Sequence, residues 1–119
     1  MEEKANQLAE RLLNYGVAII KLRMKLDSTL RGKHVAGQLF RSGTSAGANY
    51  EEACGAQSRA DFIHKLQIVL KELRESSYWL RLIQKSELVN NDNVDALIVE
   101  TKQLINIIAK SLITAKKKK

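Results

Sequence analysis

The sequence predicts an all-α protein, an antiparallel up-and-down four-helix bundle. The 119-residue chain contains no proline and six glycines, and it is rich in Leu, Ile, Ala, Lys and Glu, which favour helices. Apolar residues recur at steps of three and four along four long segments, which is the period of an amphipathic helix. The segments between them are short, and short connections place consecutive helices side by side in opposite directions.

The length of the chain fits one domain, which we place at residues 1–115, followed by a basic tail at residues 116–119. No apolar run approaches the roughly 20 residues that a membrane-spanning helix needs. The amino terminus lacks the basic start and apolar block of a signal peptide. The single Cys54 fits a reducing compartment. We therefore expect a cytoplasmic protein.

The first two predicted helices cover about residues 4–26 and 33–54. Polar residues 27–29 and Gly32 supply turn chemistry between them. Gly55 is a candidate stop for the second helix, because glycine is common just after a helix C-terminus. The inward stripe of the first helix consists of Leu8, Leu12, Tyr15, Ile19 and Leu22.

The third helix is predicted at about residues 59–86 and the fourth at about residues 92–115. Ser58 is a candidate N-cap, with Asp61 reaching back to complete a capping box. Asn90 and Asn91 are candidate caps of the fourth helix, where Asp92 falls in the first turn. The alternating steps of the third helix predict a left-handed bundle seam, formed by Phe62, Leu66, Val69, Leu73, Ser76, Leu80 and Ile83.

The apolar surface is wider than one bundle core requires. Leu13, Val17 and Ile20 form a second apolar row on the first helix, and the third and fourth helices each carry an extra row. Ordinary scattered surface hydrophobicity would explain part of this. We expect instead a second buried surface, which means a homo-oligomer.

Residues 41–53 combine helical periodicity with small side chains. Gly43 and Gly47 lie one turn apart, and each costs a helix about 1 kcal/mol relative to alanine. Close approach of a neighbouring helix would offset that cost. We therefore assign a structural role, through close helix contact and an interhelical polar network, to Arg41, Ser42, Gly43, Ser45, Gly47, Asn49, Glu72 and Glu75.

The chain carries a net charge of +7, and its terminal lysines, Lys116 to Lys119, supply four of those charges. A second accumulation of cations covers the end of the first helix and the start of the second, where Asp27 is the opposing carboxylate. It is either a solvated helix end or a patch that contacts phosphates. The candidate nucleic-acid-binding residues are Lys21, Arg23, Lys25, Arg31 and Lys33.

Three motifs suggest chemistry but lack its context. Residues 43–47 match G-x-S-x-G, yet a nucleophile elbow needs a strand before the serine. A two-metal bundle site needs two Glu-x-x-His motifs, and Asp61-x-x-His64 occurs once. Arg59 and His64 match the R-x4-6-H spacing of HEPN ribonucleases, although a surface arginine and histidine would look the same. We expect no enzymatic activity, no metal and no cofactor.

Longer motifs carry a family resemblance. They are QLFRSGTSAGANYEEA at residues 38–53, Ser58, DFIHKL at residues 61–66 and LKELRESSYWL at residues 70–80. They resemble the bacterial four-helix-bundle family, also called the ribosomal-RNA intervening-sequence protein family. The accessory variability determinant protein of diversity-generating retroelements is similar. Tyr50 departs from the family pattern, in which isoleucine is commoner.

This resemblance implies a four-helix bundle assembled into a homopentameric ring. In the retroelement relatives a basic surface engages nucleic acid and a reverse transcriptase. We therefore expect a non-enzymatic bundle that binds nucleic acid, RNA above all, through the five cations at residues 21–33, with help from the lysine tail. Two alternatives stay open: a protein-binding scaffold for a reverse transcriptase or another partner, and a ribonuclease that uses Arg59 and His64.

Overall fold

The structure is a computed structural model that describes residues 2–89 and 92–118. It consists of four helices, α1 (Glu3–Leu26), α2 (Leu30–Cys54), α3 (Arg59–Ser86) and α4 (Asp92–Lys117). The described residues contain no strand. The helices form a rod of 50 × 22 × 19 Å in which each helix packs against the next along the chain. The predicted all-α four-helix fold is confirmed, whereas oligomeric assembly stays a prediction.

Consecutive helices run in opposite directions. Glu52, near the end of α2, contacts Lys65 near the start of α3, and Ser42 in the middle of α2 contacts Ser76 in the middle of α3. The same reversal relates α1 to α4, because Arg11 contacts Gln103, whereas Tyr15, later in α1, contacts Thr101, earlier in α4. The bundle is therefore antiparallel.

The predicted start of the second helix at about residue 33 was three residues too late. Thr29 is extended and its side-chain oxygen accepts the Gly32 N–H at 2.9 Å, so α2 begins at Leu30. A Cβ at Gly32 would overlap the carbonyl oxygen of Leu26, so only glycine allows the chain to turn this tightly. The turn is thus shorter than the polar residues suggested.

The start of α3 matches the prediction, with one difference in its cap. Ser58 is the N-cap, and its hydroxyl accepts the Asp61 N–H at 3.1 Å; this is one of the two bonds of a capping box. The C-cap of α3 is Glu87, the residue after the helix, which has a left-handed backbone (φ 55°). The predicted caps Asn90 and Asn91 lie outside the described residues.

The core runs the whole length of the rod and is built from large aliphatic side chains of all four helices. Burying each such side chain stabilises the fold by roughly 1.5–3 kcal/mol. The fully buried members are Leu12, Ile19, Leu39, Leu66, Val69, Leu73, Leu80, Ile83, Val94, Leu104 and Ile108.

A layer of hydroxyl groups crosses the middle of this core, with one from each helix. Tyr15 of α1 bonds to Thr101 of α4 at 2.6 Å, and Ser42 of α2 bonds to Ser76 of α3 at 2.8 Å. All four residues are buried. Because a buried hydroxyl without a partner is costly, this layer favours the helix register that pairs them.

The small residues of α2 lie against α1. A Cβ at Gly43 would overlap the Cδ1 methyl of Ile19, and a Cβ at Gly47 would lie 3.5 Å from the backbone oxygen of Leu12. Gly43 is buried. These contacts explain why two glycines occur one turn apart inside a long helix.

Candidate nucleic-acid interface

The five candidate cations meet at one end of the rod. Lys21, Arg23 and Lys25 lie in the last turns of α1, and Arg31 and Lys33 lie in the first turn and a half of α2. The connection between the helices, residues 27–29, brings the two groups together. All of them except Arg23 are exposed.

Arg23 is engaged within the protein. Its guanidinium lies 4.7 Å from the centroid of the Phe40 ring and 3.8 Å from the Asp27 carboxylate. A cation over an aromatic face contributes about 0.5–1 kcal/mol at a partly exposed site. Arg23 is thus less available to a ligand than its neighbours, and Asp27 is directed toward it.

The four exposed cations, Lys21, Lys25, Arg31 and Lys33, have no ion pair among the residues that the structure describes. Two of them also lie at the unfavourable end of a helix. Positive side chains near a helix N-terminus are repelled by the helix dipole, and the first turn of α2 holds no acidic residue. Arg31 and Lys33 therefore do not stabilise α2, which favours a role in binding an anion.

The other half of the same end is electrically balanced. α3 ends there with Arg81 and Lys85, and Glu87 and Asp95 lie beside them. Asp95 accepts a hydrogen bond from Gln84 at 2.7 Å. The excess of positive charge thus belongs to the α1–α2 side. Sequence reasoning did not include Arg81 and Lys85 because they join this end only through the antiparallel fold.

The lysine tail lies at the opposite end. α4 starts at the basic end and runs away from it for 26 residues, or about 39 Å at 1.5 Å per residue. Lys116, Lys117 and the exposed Lys118 are therefore remote from Lys21 and Lys33. The direction of α4 thus separates the tail from these cations within a single chain, and help from the tail in binding stays a prediction.

The predicted polar network joins α2 to α3. The Arg41 guanidinium donates to the carboxylates of Glu72, at 2.8 Å, and of Glu75. The Trp79 ring N–H also donates to Glu75, at 3.0 Å. These two donors lower the pKa of Glu75, and the same carboxylates raise the pKa of Arg41. Glu72 is buried, so its ion pair with Arg41 supplies the partner that water cannot. The network therefore joins α2 to α3 and has a structural role.

Of the other polar residues of the predicted signature, Asn49 and Ser45 bond to each other within α2, and Ser42 bonds to α3. The Asn49 side-chain amide donates to both the backbone oxygen and the hydroxyl of Ser45 at 2.9 Å. The Ser42 hydroxyl belongs to the buried layer of the core. None of these three side chains is directed at the cationic end.

The residues considered for catalysis are not assembled. Arg59 and His64 are both exposed on the first turns of α3; being five positions apart, they point about 140° away from each other around the helix axis. Ser45 lies inside α2, so the G-x-S-x-G match is not a turn between a strand and a helix. No group of three or more metal-ligating side chains occurs in the described part of the chain.

A groove of about 480 Å³ lies between α1 and α4, which pack less closely than the other adjacent pairs. Small residues, Ala18 and Ala96, line its middle, and Arg11 paired with Glu100 lines one end. Lys21 and Lys25 line the other end. Two of the candidate cations thus border a partly apolar channel.

The fold and its cationic end define a class: a basic, all-α four-helix bundle whose exposed cations gather at one end of the rod. The model of the 23S rRNA-intervening sequence protein family matches residues 4–110. The chain belongs to this family, which confirms the resemblance seen in its motifs.

A solved structure is also similar. It is the crystal structure, at 1.70 Å resolution, of a protein of unknown function from the S23 ribosomal protein family of Bacteroides thetaiotaomicron VPI-5482. It shares 34% sequence identity and a TM-score of 0.82, covering 88% of this chain and 97% of that chain. A comparison with curated proteins finds no match. No helix among the described residues is long and apolar enough to cross a membrane.

Proposed function

We propose that this protein is a non-enzymatic RNA-binding bundle that contacts phosphates through the end formed by α1 and α2. The observation that carries the proposal is the convergence of Lys21, Lys25, Arg31 and Lys33, exposed and without ion pairs in the described structure. Membership of a family described by an intervening sequence of 23S rRNA makes RNA the anion of first choice.

Binding through such an end depends on charge more than on sequence. Each lysine or arginine that neutralises a phosphate releases counterions, so affinity falls as salt rises. The logarithm of the binding constant falls by about 0.7 per phosphate contact on a single strand and about 0.9 on B-DNA for each tenfold rise in salt. Four contacts would therefore give a salt slope near 3.

The test is a titration of labelled RNA at several salt concentrations. We expect the variant with Lys21, Lys25, Arg31 and Lys33 all changed to alanine to lose most of its affinity and most of its salt slope. A matched control removes four exposed cations elsewhere, Lys4, Arg59, Lys102 and Lys110. It should lose much less, although the net charge is identical.

Two results would contradict the proposal. Equal losses in both variants would mean that net charge alone attracts RNA. A wild-type protein that binds no RNA, but retains a protein partner such as a reverse transcriptase, would favour the scaffold alternative.

We also propose that the protein forms a homo-oligomer through the outer face of α1. Leu13, Val17, Ile20 and Met24 lie along one line of this helix and are 42–74% exposed. A shallow groove beside them is lined by small residues of α1 and α2, including Gly16 and Ala48. Continuous apolar surface of this kind is typical of a subunit contact. The family resemblance suggests a ring of five.

A further inference from the structure

The solvent face of α3 carries a line of cations that the sequence analysis did not single out. Lys71, Arg74, Arg81 and Lys85 recur, with Tyr78 at their centre, at steps of three, four, three and four residues. All five side chains are exposed, so they follow one line along the outside of the bundle. From Lys71 to Lys85 this line, which we call the α3 stripe, is about 21 Å long at 1.5 Å per residue.

Two carboxylates of α3 that lie near the α3 stripe, Glu72 and Glu75, are bound by other residues. Glu72 is buried and bound by Arg41. Glu75, at the edge of the stripe, is bound by both Arg41 and Trp79. Within the described chain, none of the four cations of the stripe takes part in an ion pair. The network that joins α2 to α3 thus occupies Glu72 and Glu75, whereas Glu87 and Asp95 lie at the end of the stripe, near Lys85.

Tyr78 is placed to act as a flat platform. Its ring is 51% exposed, and its position is supported by an edge contact with Trp79, with ring centroids 5.0 Å apart. Trp79 is itself partly buried against the core. An exposed ring with a fixed support between cations is the arrangement on which unpaired bases stack while the backbone follows the positive charge.

The α3 stripe is also continuous with the end that we propose as the RNA site. Arg81 and Lys85 lie at the same end of the rod as Lys21 and Lys33, because α3 ends where α2 begins. Arg81 is held along the helix by a bond from its Nε to the Ser77 carbonyl oxygen at 3.3 Å. A strand bound at the end of the bundle can therefore continue onto its side.

We infer that the α3 stripe binds single-stranded RNA, with Lys71, Arg74, Arg81 and Lys85 on successive phosphates and Tyr78 stacked on an unpaired base. A duplex keeps its bases stacked inside and offers no free face to Tyr78. The cores of protein–protein interfaces are depleted in charged residues, whereas this line has four cations around a single aromatic ring. The inference rests on the proposed function and names the form of RNA and the surface that it follows.

The experiment measures the fluorescence anisotropy of a labelled oligouridylate and of the matching abasic oligomer, which has the same backbone without bases. We expect the double variant Arg74→Ala/Arg81→Ala to lower the salt slope by about 1.4, since each phosphate contact on a single strand contributes about 0.7. The control Lys102→Ala/Lys110→Ala removes two exposed cations of α4, and its slope should stay close to that of the wild type.

Stacking of a base on Tyr78 is tested separately, by comparing the binding of oligouridylate with that of the abasic oligomer. We expect Tyr78→Ala to weaken binding of oligouridylate about fivefold or more and to leave binding of the abasic oligomer unchanged. Tyr78→Phe keeps the ring and should bind like the wild type. Since every changed side chain is exposed, circular dichroism should show that all variants fold.

The failures are distinguishable. If the α3 variants bind like their control while the four-residue variant of the α1–α2 end loses binding, the stripe is rejected and the proposed function stands. If the wild type binds duplex RNA but no oligouridylate, the stripe alone is rejected, and if it binds neither, both proposals are rejected. Equal binding of duplex RNA, or equal displacement by polyglutamate, would overturn the assignment to single-stranded RNA.

Discussion

At the scale of single residues, the buried hydroxyl layer determines how the helices are aligned. Tyr15 pairs with Thr101 at 2.6 Å, and Ser76 pairs with Ser42 while also interacting with the Tyr15 hydroxyl. Each member sits at a position that the apolar pattern assigns to the core. A shift of one helix by a turn would leave the buried Tyr15 hydroxyl without a partner, at about 1–3 kcal/mol. Ser42, Ser76 and Thr101 would keep the backbone acceptors in their own helices. The layer thus selects one register from several that apolar contacts alone would tolerate.

Tyr15 makes the stability of the protein sensitive to alkaline pH. Burial raises the pKa of Tyr15 from 10.0 to about 12, and its bond to Thr101 offsets part of that effect. The neutral phenol is favoured in the folded state, so this contribution is complete below pH 10 and is lost as pH rises toward 12. Urea unfolding should show that Tyr15→Phe loses about 2 kcal/mol less than the wild type between about pH 9 and about pH 12.

The difference between the wild type and Tyr15→Phe isolates the effect of Tyr15 on the pH dependence of stability. Tyr50, whose pKa burial also raises, is present in both and does not affect the difference. Equal losses of stability in the wild type and in Tyr15→Phe would show that Tyr15 does not titrate in this way.

At the scale of helices, close contact between α1 and α2 sets the requirement for small residues. Gly43 lies against Ile19, which is fully buried, and a Cβ at Gly43 would overlap the Cδ1 methyl of that side chain. Gly37 lies on the same helix, but a Cβ there would meet nothing within 4 Å. The two glycines are therefore equivalent in helix propensity and opposite in their surroundings.

Alanine at these two positions should have opposite effects. Gly37→Ala should raise the free energy of unfolding by about 1 kcal/mol, which is the difference in helix propensity. Gly43→Ala gains the same propensity but overpacks the core, which costs about 1–3 kcal/mol, so we expect a net loss of about 1 kcal/mol. Thermal and urea unfolding of both variants measure this, and an increase in both would mean that α1 and α2 can move apart freely.

At the scale of the whole molecule, charge and apolar surface are separated. The exposed cations of α1 and α2 and the α3 stripe occupy one end and one side of the rod, while the lysine tail occupies the other end. The apolar line of α1 carries four exposed side chains. α4 has two, Val99 and Ile113, which lie far apart along the helix. An oligomer that covers α1 would leave the α3 stripe available to RNA.

Light scattering tests which surface is covered. We expect the wild type to have a mass several times that of the 13.4 kDa chain and the variant Val17→Ser/Ile20→Ser to be a monomer, because it loses the centre of the apolar line. The control Val99→Ser should keep the mass of the wild type. A wild type that is already monomeric at micromolar concentration, or a control that dissociates instead, would count against α1.

The sequence predicted correctly those features that depend on neighbouring residues, and it missed contacts between residues far apart in the chain. Helix bounds depend on local patterns, and Ser58 and Gly55 mark ends that the structure shares to within a residue. The start of α2 was misplaced because the Thr29 cap and the tight turn at Gly32 are features of backbone geometry. Tyr15 and Thr101 were read as core residues, and nothing local indicated that they bond to each other. The α3 stripe was visible as a repeat of cations, but only the packed bundle shows that the neighbouring carboxylates are taken up by Arg41 and Trp79.

The sequence by itself determined four amphipathic helices, the Ser58 cap of α3, the small-residue contact of α2 and the family to which the chain belongs, because each of these depends on residue type and spacing over a few turns. The tertiary structure decided which charges share a surface. Antiparallel packing brings Arg81 and Lys85 beside Lys21 and Lys33, and it carries Lys116 and Lys117 about 39 Å away, because α4 extends 1.5 Å per residue from the basic end.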